Sequence, residues 1–199
     1  MNSPNGGGTG QDTRWPARTR AILFIALAYA LVGWAVHLPN AFGLVGFSSV
    51  VWPSAGIALG VLLIGGPRFW PGIWLGALLV NGSLLLDALP PVPALGAAAA
   101  MATGATLQGL AGYWLARRFI GDATVLDNHP AALKFILLCG PLASLVSATI
   151  GGATLMAFGL THLPNVLMDW LSWWSGDTIG VLLATPVVLA LAGPQRDIW

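Results

Sequence analysis

Long apolar runs separated by short polar breaks dominate the chain. They cover about 21–38, 53–66, 71–89, 94–116, 133–158 and 166–191. None shows the period-two alternation of a half-buried strand, and most approach or exceed the ~20 residues a helix needs to cross bilayer hydrocarbon. The pattern predicts an all-α fold, a polytopic transmembrane helical bundle of about six spans. The second run is short. It reads either as a short helix lined by protein or as the continuation of irregular backbone over 47–54, tolerated at depth only inside protein or along a cavity. The fourth run is rich in Ala and Gly and reads as an internal helix packed on several sides. Gly140-Pro141 interrupts the fifth and predicts a kink or break. Pro90-Pro91-Val92-Pro93 predicts a stiff external turn.

The second and third runs open alike, with Trp52-Pro53 and Trp70-Pro71. Proline suits the first turn of a helix, where its missing N–H has no intrahelical partner anyway. Each run also carries glycines four apart, Gly56 with Gly60 and Gly72 with Gly76, which puts two small residues on one face for close helix approach. A helical hairpin follows, its turn at Gly65-Gly66-Pro67-Arg68. Leu59-Gly60-Val61-Leu62-Leu63 echoes Ile179-Gly180-Val181-Leu182-Leu183, a similarity near chance in a chain so rich in Leu and Gly.

Composition sharpens the class. The 199 residues are 56% hydrophobic and 8% charged, against about 25% charged in soluble domains. If the six runs cross in alternation, all eight basic residues (Arg14, Arg18, Arg20, Arg68, Arg117, Arg118, Lys134 and Arg196) fall on the side of the N-terminus. The other side carries Asp87, Asp169, His37 and His162. Lys/Arg excess marks the cytoplasmic side, so both termini are expected in the cytoplasm. Residues 1–19 are expected to be a disordered cytoplasmic tail, 20–192 the transmembrane domain and 193–199 a cytoplasmic stub. The N-terminus does not read as a secretory signal, because the first run is too long and ends at Val36-His37-Leu38-Pro39 without a small-residue cleavage site. A formal charge of +1 without a clustered basic face argues against nucleic acid as a partner. The single Cys139 rules out a disulfide within the chain.

Chemistry narrows to the middle of the sixth run. Asp177 lies about eleven residues into it, roughly 16 Å deep at ~1.5 Å per residue. A carboxylate there costs about 2.5–3.5 kcal/mol on the mild insertion scale. No cation stands at that depth in any run, so neutral groups must satisfy it. Asn81 and Gln108 are the first candidates, with Thr103, Thr106, Ser144, Ser147 and Ser175 nearby. Two readings fit: a midplane site that binds a ligand or proton, or a hydrogen-bonded knot that fixes helix register. Trp170, Trp173 and Trp174, with Trp52 on the same side, form either an interfacial belt or an aromatic cap over a cavity. The candidate ligand or polar-network residues are thus Asp177, Asn81, Gln108, Trp52, Trp174 and Ser175. No phosphate loop, metal-ligand spacing or nucleophile elbow occurs, so no catalytic residue, cofactor or metal is expected, and the chain does not read as an enzyme.

Two blocks resemble a known family. Trp-Pro-x-x-Gly-Ile-Ala-Leu from Trp52, followed by Gly-x-Arg-x-Trp-Pro-Gly-Ile-x-Leu-Gly-Ala and Asn81, is similar to MASE1. So is Trp173-Trp174-Ser175-Gly176-Asp177-Thr178-Ile179-Gly180-Val181-Leu182-Leu183-Ala184-Thr185-Pro186. The family pattern includes the positions of Asp177 and Asn81. The resemblance runs from about Arg20 to the C-terminus. It implies a bacterial inner-membrane, multi-pass sensory module that detects a small molecule, lipid or membrane partner. Such a module passes the signal to a cytoplasmic output of the histidine kinase or cyclic-di-GMP enzyme type. Family modules have about eight spans, so six imply a transmembrane domain lacking the last ones: a truncated product, a fragment, or a stand-alone module acting through a separate kinase, cyclase or partner membrane protein. A homodimer is compatible with this. The alternative is a small-molecule transporter or its substrate-binding membrane subunit, because broken helices and midplane polar groups also suit a transport site.

Overall fold

The computed structural model describes residues 16–41, 51–121 and 129–192. The expected N-terminal tail, almost all of the loop before Val51, and the C-terminal stub lie outside these residues. Six helices follow in order: α1 (Ala17–Ala41), α2 (Pro53–Gly65), α3 (Trp70–Leu85), α4 (Pro91–Phe119), α5 (His129–Ala157) and α6 (Leu163–Ala192). Among the described residues, four stretches are long and apolar enough to cross a membrane: Ala17–His37, Pro91–Phe119, His129–Ala157 and Leu163–Leu191. The 13 residues of α2 and 16 of α3 fall short of the ~20 a lone span needs.

The Trp-Pro pairs start both short helices. Pro53 opens α2, Pro71 sits in the first turn of α3, and a single 3-10 turn over Pro67–Phe69 joins them. Gly66, at φ 85°, makes the reversal that a side chain would strain. The proline run behaves differently from the expected turn. Pro91 begins α4, with Pro93 inside its first turn, because the first turn has no intrahelical use for the missing N–H groups. The expected kink in the fifth run is a π-helical stretch over Phe135–Leu142, with Pro141 inside it.

Inter-helix contacts set the directions. Trp52, Gly56 and Gly60 meet Gly176, Gly180 and Val188 in rising order, so α2 and α6 run parallel. A side chain at Gly72 would meet the Ile22 carbonyl and one at Gly76 the Ala26 carbonyl, so α3 and α1 are also parallel. Ser54 against Tyr29, and Arg18 against the Arg68 carbonyl, make α2 antiparallel to α1. Trp74 with Thr103 and Gly82 beside Ala98 make α4 antiparallel to α3. Gln108 with Ser144 and Lys134 with the Phe119 carbonyl reverse the direction again at α5. Trp174 with the Pro141 carbonyl and Trp170 with Thr149 do so at α6.

Arg18, Arg20, Arg68, Arg117, Arg118 and Lys134 therefore gather at one end of the bundle. Several of them finish helices there. Arg117 donates to the Leu63 carbonyl in the last turn of α2 and Lys134 to the Phe119 carbonyl of α4, which suits the negative end of each helix dipole.

The core is small and the rim is large. Buried positions are mostly Ala and Gly with a few Leu, Ile and Val, plus Ser54, Gln108, Ser144, Ser147, Asp177 and Thr185. Phe24 is 72% exposed and Leu183 61%. An apolar exterior over a small-residue, partly polar interior is how helices pack in lipid, and in water it would be a large sticky patch.

Candidate functional site

The close approach of α2 to α6 builds the site. A side chain at Gly180 would collide with the Trp52 carbonyl, and one at Gly56 with the Gly180 carbonyl. Glycine at both places lets two backbones touch. The Trp52 N–H then donates to the Gly176 carbonyl at 2.9 Å, and Thr185 Oγ1 donates to the Gly56 carbonyl at 3.0 Å. Trp52 caps α2 without a side-chain bond to that helix, and its ring reaches α1 instead. There its indole N–H lies 3.4 Å from the Tyr29 hydroxyl, and the His37 ring meets it edge-on at 5.4 Å.

Beside this contact lies a cavity of about 190 Å³. Asp177 forms part of its wall, midway along α6 and only 2% exposed. Asn81 from α3, Met101 from α4 and Ser147 from α5 complete that level, with Tyr29 and Trp52 on one side and Trp173 on the other. His37, Leu85, Leu160 and Asp169 also line it. All four stand near the helix ends opposite the arginines, so the cavity reaches toward that end.

The carboxyl is incompletely satisfied. The Trp173 indole donates to Ser147 Oγ at 3.1 Å, and Ser147 and Trp173 are the hydrogen-bonding neighbours of Asp177. Asp177 Oδ2 is buried with no hydrogen-bond partner among the described residues. Leaving a buried acceptor unpaired costs about 1–3 kcal/mol. Asp169, nearer the open end, accepts a hydrogen bond from Thr161 Oγ1. No Lys or Arg lines the cavity among the described residues, and residues 38–50 contain no charged side chain.

The six residues singled out by sequence divide evenly. Asp177, Asn81 and Trp52 line the cavity. Gln108 is buried between α4 and α5, donating to Ser144 Oγ at 3.1 Å. Trp174 donates to the Pro141 carbonyl at 2.8 Å and stacks on Trp170, with ring centroids 6.2 Å apart. Ser175 bonds the Ser172 carbonyl of its own helix. Asn81 shares the cavity with Asp177, while its amide N–H goes to the Ala77 carbonyl one turn back. The groups beside the carboxyl are thus Ser147 and Trp173. Tyr29, 1% exposed, escaped notice; its one signal was a phenol inside the continuous apolar run of α1. Among the described residues no group of three or more His, Cys, Asp or Glu side chains could hold a metal.

Comparison with known proteins places the chain. The sequence model of the MASE1 family matches residues 20–197. No curated protein and no solved structure matches the chain.

Proposed function

This chain belongs to the MASE1 family of membrane sensory domains, and we propose that the Asp177 cavity is where it receives its signal. The observation that carries this reading is a buried carboxyl oxygen without a partner, in the wall of a chamber shared by the whole bundle. A small molecule that bonds Asp177 Oδ2 touches α3, α4, α5 and α6 together, at the level where Trp52 hangs α2 on the Gly176 carbonyl. Occupancy then biases the α2–α6 contact, and the two parallel helices carry the change toward the basic end.

That end faces the cytoplasm of a bacterial inner membrane by the excess of Lys and Arg, and the chamber opens outward. Domains of this family typically couple to cytoplasmic signalling domains; here the receiver is a histidine kinase or cyclic-di-GMP enzyme, reached directly or through a partner membrane protein. A carrier reading draws support from the π-helical turn over Phe135–Leu142 beside the Trp174 contact, because broken helices serve transport sites. Uptake of a bound compound into vesicles would favour it over sensing.

The test is a thermal-shift screen of the purified protein against amines, neutral alcohols and sugars, carboxylates, phosphates and inorganic cations across pH. Asp177→Asn serves as the control. A ligand at about 100 times its dissociation constant stabilises by about 2.7 kcal/mol. The reading expects at least one compound to raise the midpoint in the native protein and fail in Asp177→Asn. No hit in any class, or hits that survive the substitution, would contradict it.

A further inference from the structure

The chamber's chemistry narrows the ligand, given the reading that the chamber is the signal site. Its charge has one sign. Asp177 and Asp169 both line it, no Lys or Arg does among the described residues, and the six described basic residues stand at the other end of the bundle. An anion would meet two carboxyl groups, with the His37 imidazole as the one titratable base among the described lining residues. A cation would meet partners already in place.

Its surfaces are aromatic and aliphatic elsewhere. Trp52, Trp173 and Tyr29 offer ring faces and edges, and Met101, Leu85 and Leu155 offer apolar wall. Cations associate with indole and phenol faces. Asp177 Oδ2 adds a further demand. An acceptor with no partner among the described residues requires a hydrogen-bond donor, and a quaternary ammonium has none. A protonated primary amine supplies both charge and N–H. Size follows from volume. An apolar cavity of about 150 Å³ holds benzene, so about 190 Å³ admits one ring or a short alkyl body with an ammonium group attached.

We propose that the cavity between Asp177, Trp52 and Trp173 binds a small primary amine. The ammonium donates to Asp177 Oδ2, and the apolar or aromatic body lies toward Met101, Leu85 and Leu155.

The test is calorimetric titration of the purified full chain with four probes that share a phenyl ring and a two-carbon arm: phenethylamine, its bulkier N-trimethyl derivative, 2-phenylethanol and phenylacetate. Phenethylamine is expected to bind at least tenfold more tightly than any of the other three. Asp177→Asn should weaken it at least tenfold while leaving the weak binding of 2-phenylethanol unchanged. Ala105→Leu adds bulk to the cavity wall without altering a polar group and should reduce all binding, which keeps the test decisive if Asp177→Asn folds poorly. Equal or tighter binding of the alcohol, the carboxylate or the trimethylated probe overturns the amine assignment, while loss of that binding in the variants leaves the chamber intact as a signal site. No binding by any probe here overturns the amine assignment, and together with no hit in the wider screen it overturns both.

Discussion

At the scale of single residues, Asp177 carries the account through what surrounds it. Depth alone marked it in the sequence, because an acidic residue inside an apolar run needs an explanation. Its partners could not be read the same way. Asn81 and Gln108 matched it in depth, yet depth does not say which face of a helix a residue occupies or how two helices are rotated. Gln108 turns to Ser144, while Ser147 and Trp173 stand beside the carboxyl. Two predictions belong here. Asp177→Asn keeps size and hydrogen-bonding capacity without needing a counter-charge, so its thermal stability should stay within about 1 kcal/mol of the native protein. A collapse of expression or of the folded monodisperse peak would mean that the carboxyl holds the bundle together. Ser147→Ala removes the acceptor of the Trp173 indole and should lower stability by about 1 kcal/mol. Loss of that bond should also shift tryptophan emission; an unchanged spectrum and midpoint would show that the contact contributes nothing.

Among elements, α2 and α6 matter most. The glycines of α2 announced a close helix neighbour without saying which helix it is. The structure sets Gly56 and Gly60 against α6, with Gly56 facing Gly180 itself. Two parallel helices thus meet through their small residues, a relation that no local pattern encodes. Helix starts were legible where chemistry is local, as at Pro53 and Pro71. The π-helical form of the break near Pro141 was not, because it depends on how α5 seats against α4 and α6. Gly180→Ala should gain up to about 1 kcal/mol of helix propensity and lose about 1–3 kcal/mol through overpacking, since the obstacle is the Trp52 backbone. Its melting midpoint is expected to fall. Gly82→Ala is the matched control, with only the Ala98 methyl at 3.9 Å from the added carbon, and should hold or raise the midpoint. If both substitutions behave alike, the α2–α6 contact is less tight than described.

Across the whole molecule, composition and charge placement gave the class. A 56% hydrophobic chain with its basic residues in the helix connections and termini reads as a membrane bundle, and the alternating helix directions collect the described ones at one end. What the sequence could not show is the chamber, because it is made by residues from all six helices or their caps and exists only once they are packed. The central claim is that this chamber opens away from the basic end and prefers positive charge. The most direct measurement is thiol modification of Asn81→Cys in intact cells, in a Cys139→Ala background, with two membrane-impermeant methanethiosulfonates, one carrying trimethylammonium and one sulfonate. The account predicts reaction from outside, several-fold faster with the cationic reagent, and loss of that preference when Asp177→Asn is added. Reaction only in inverted vesicles, or equal rates for the two reagents with Asp177 in place, would contradict it.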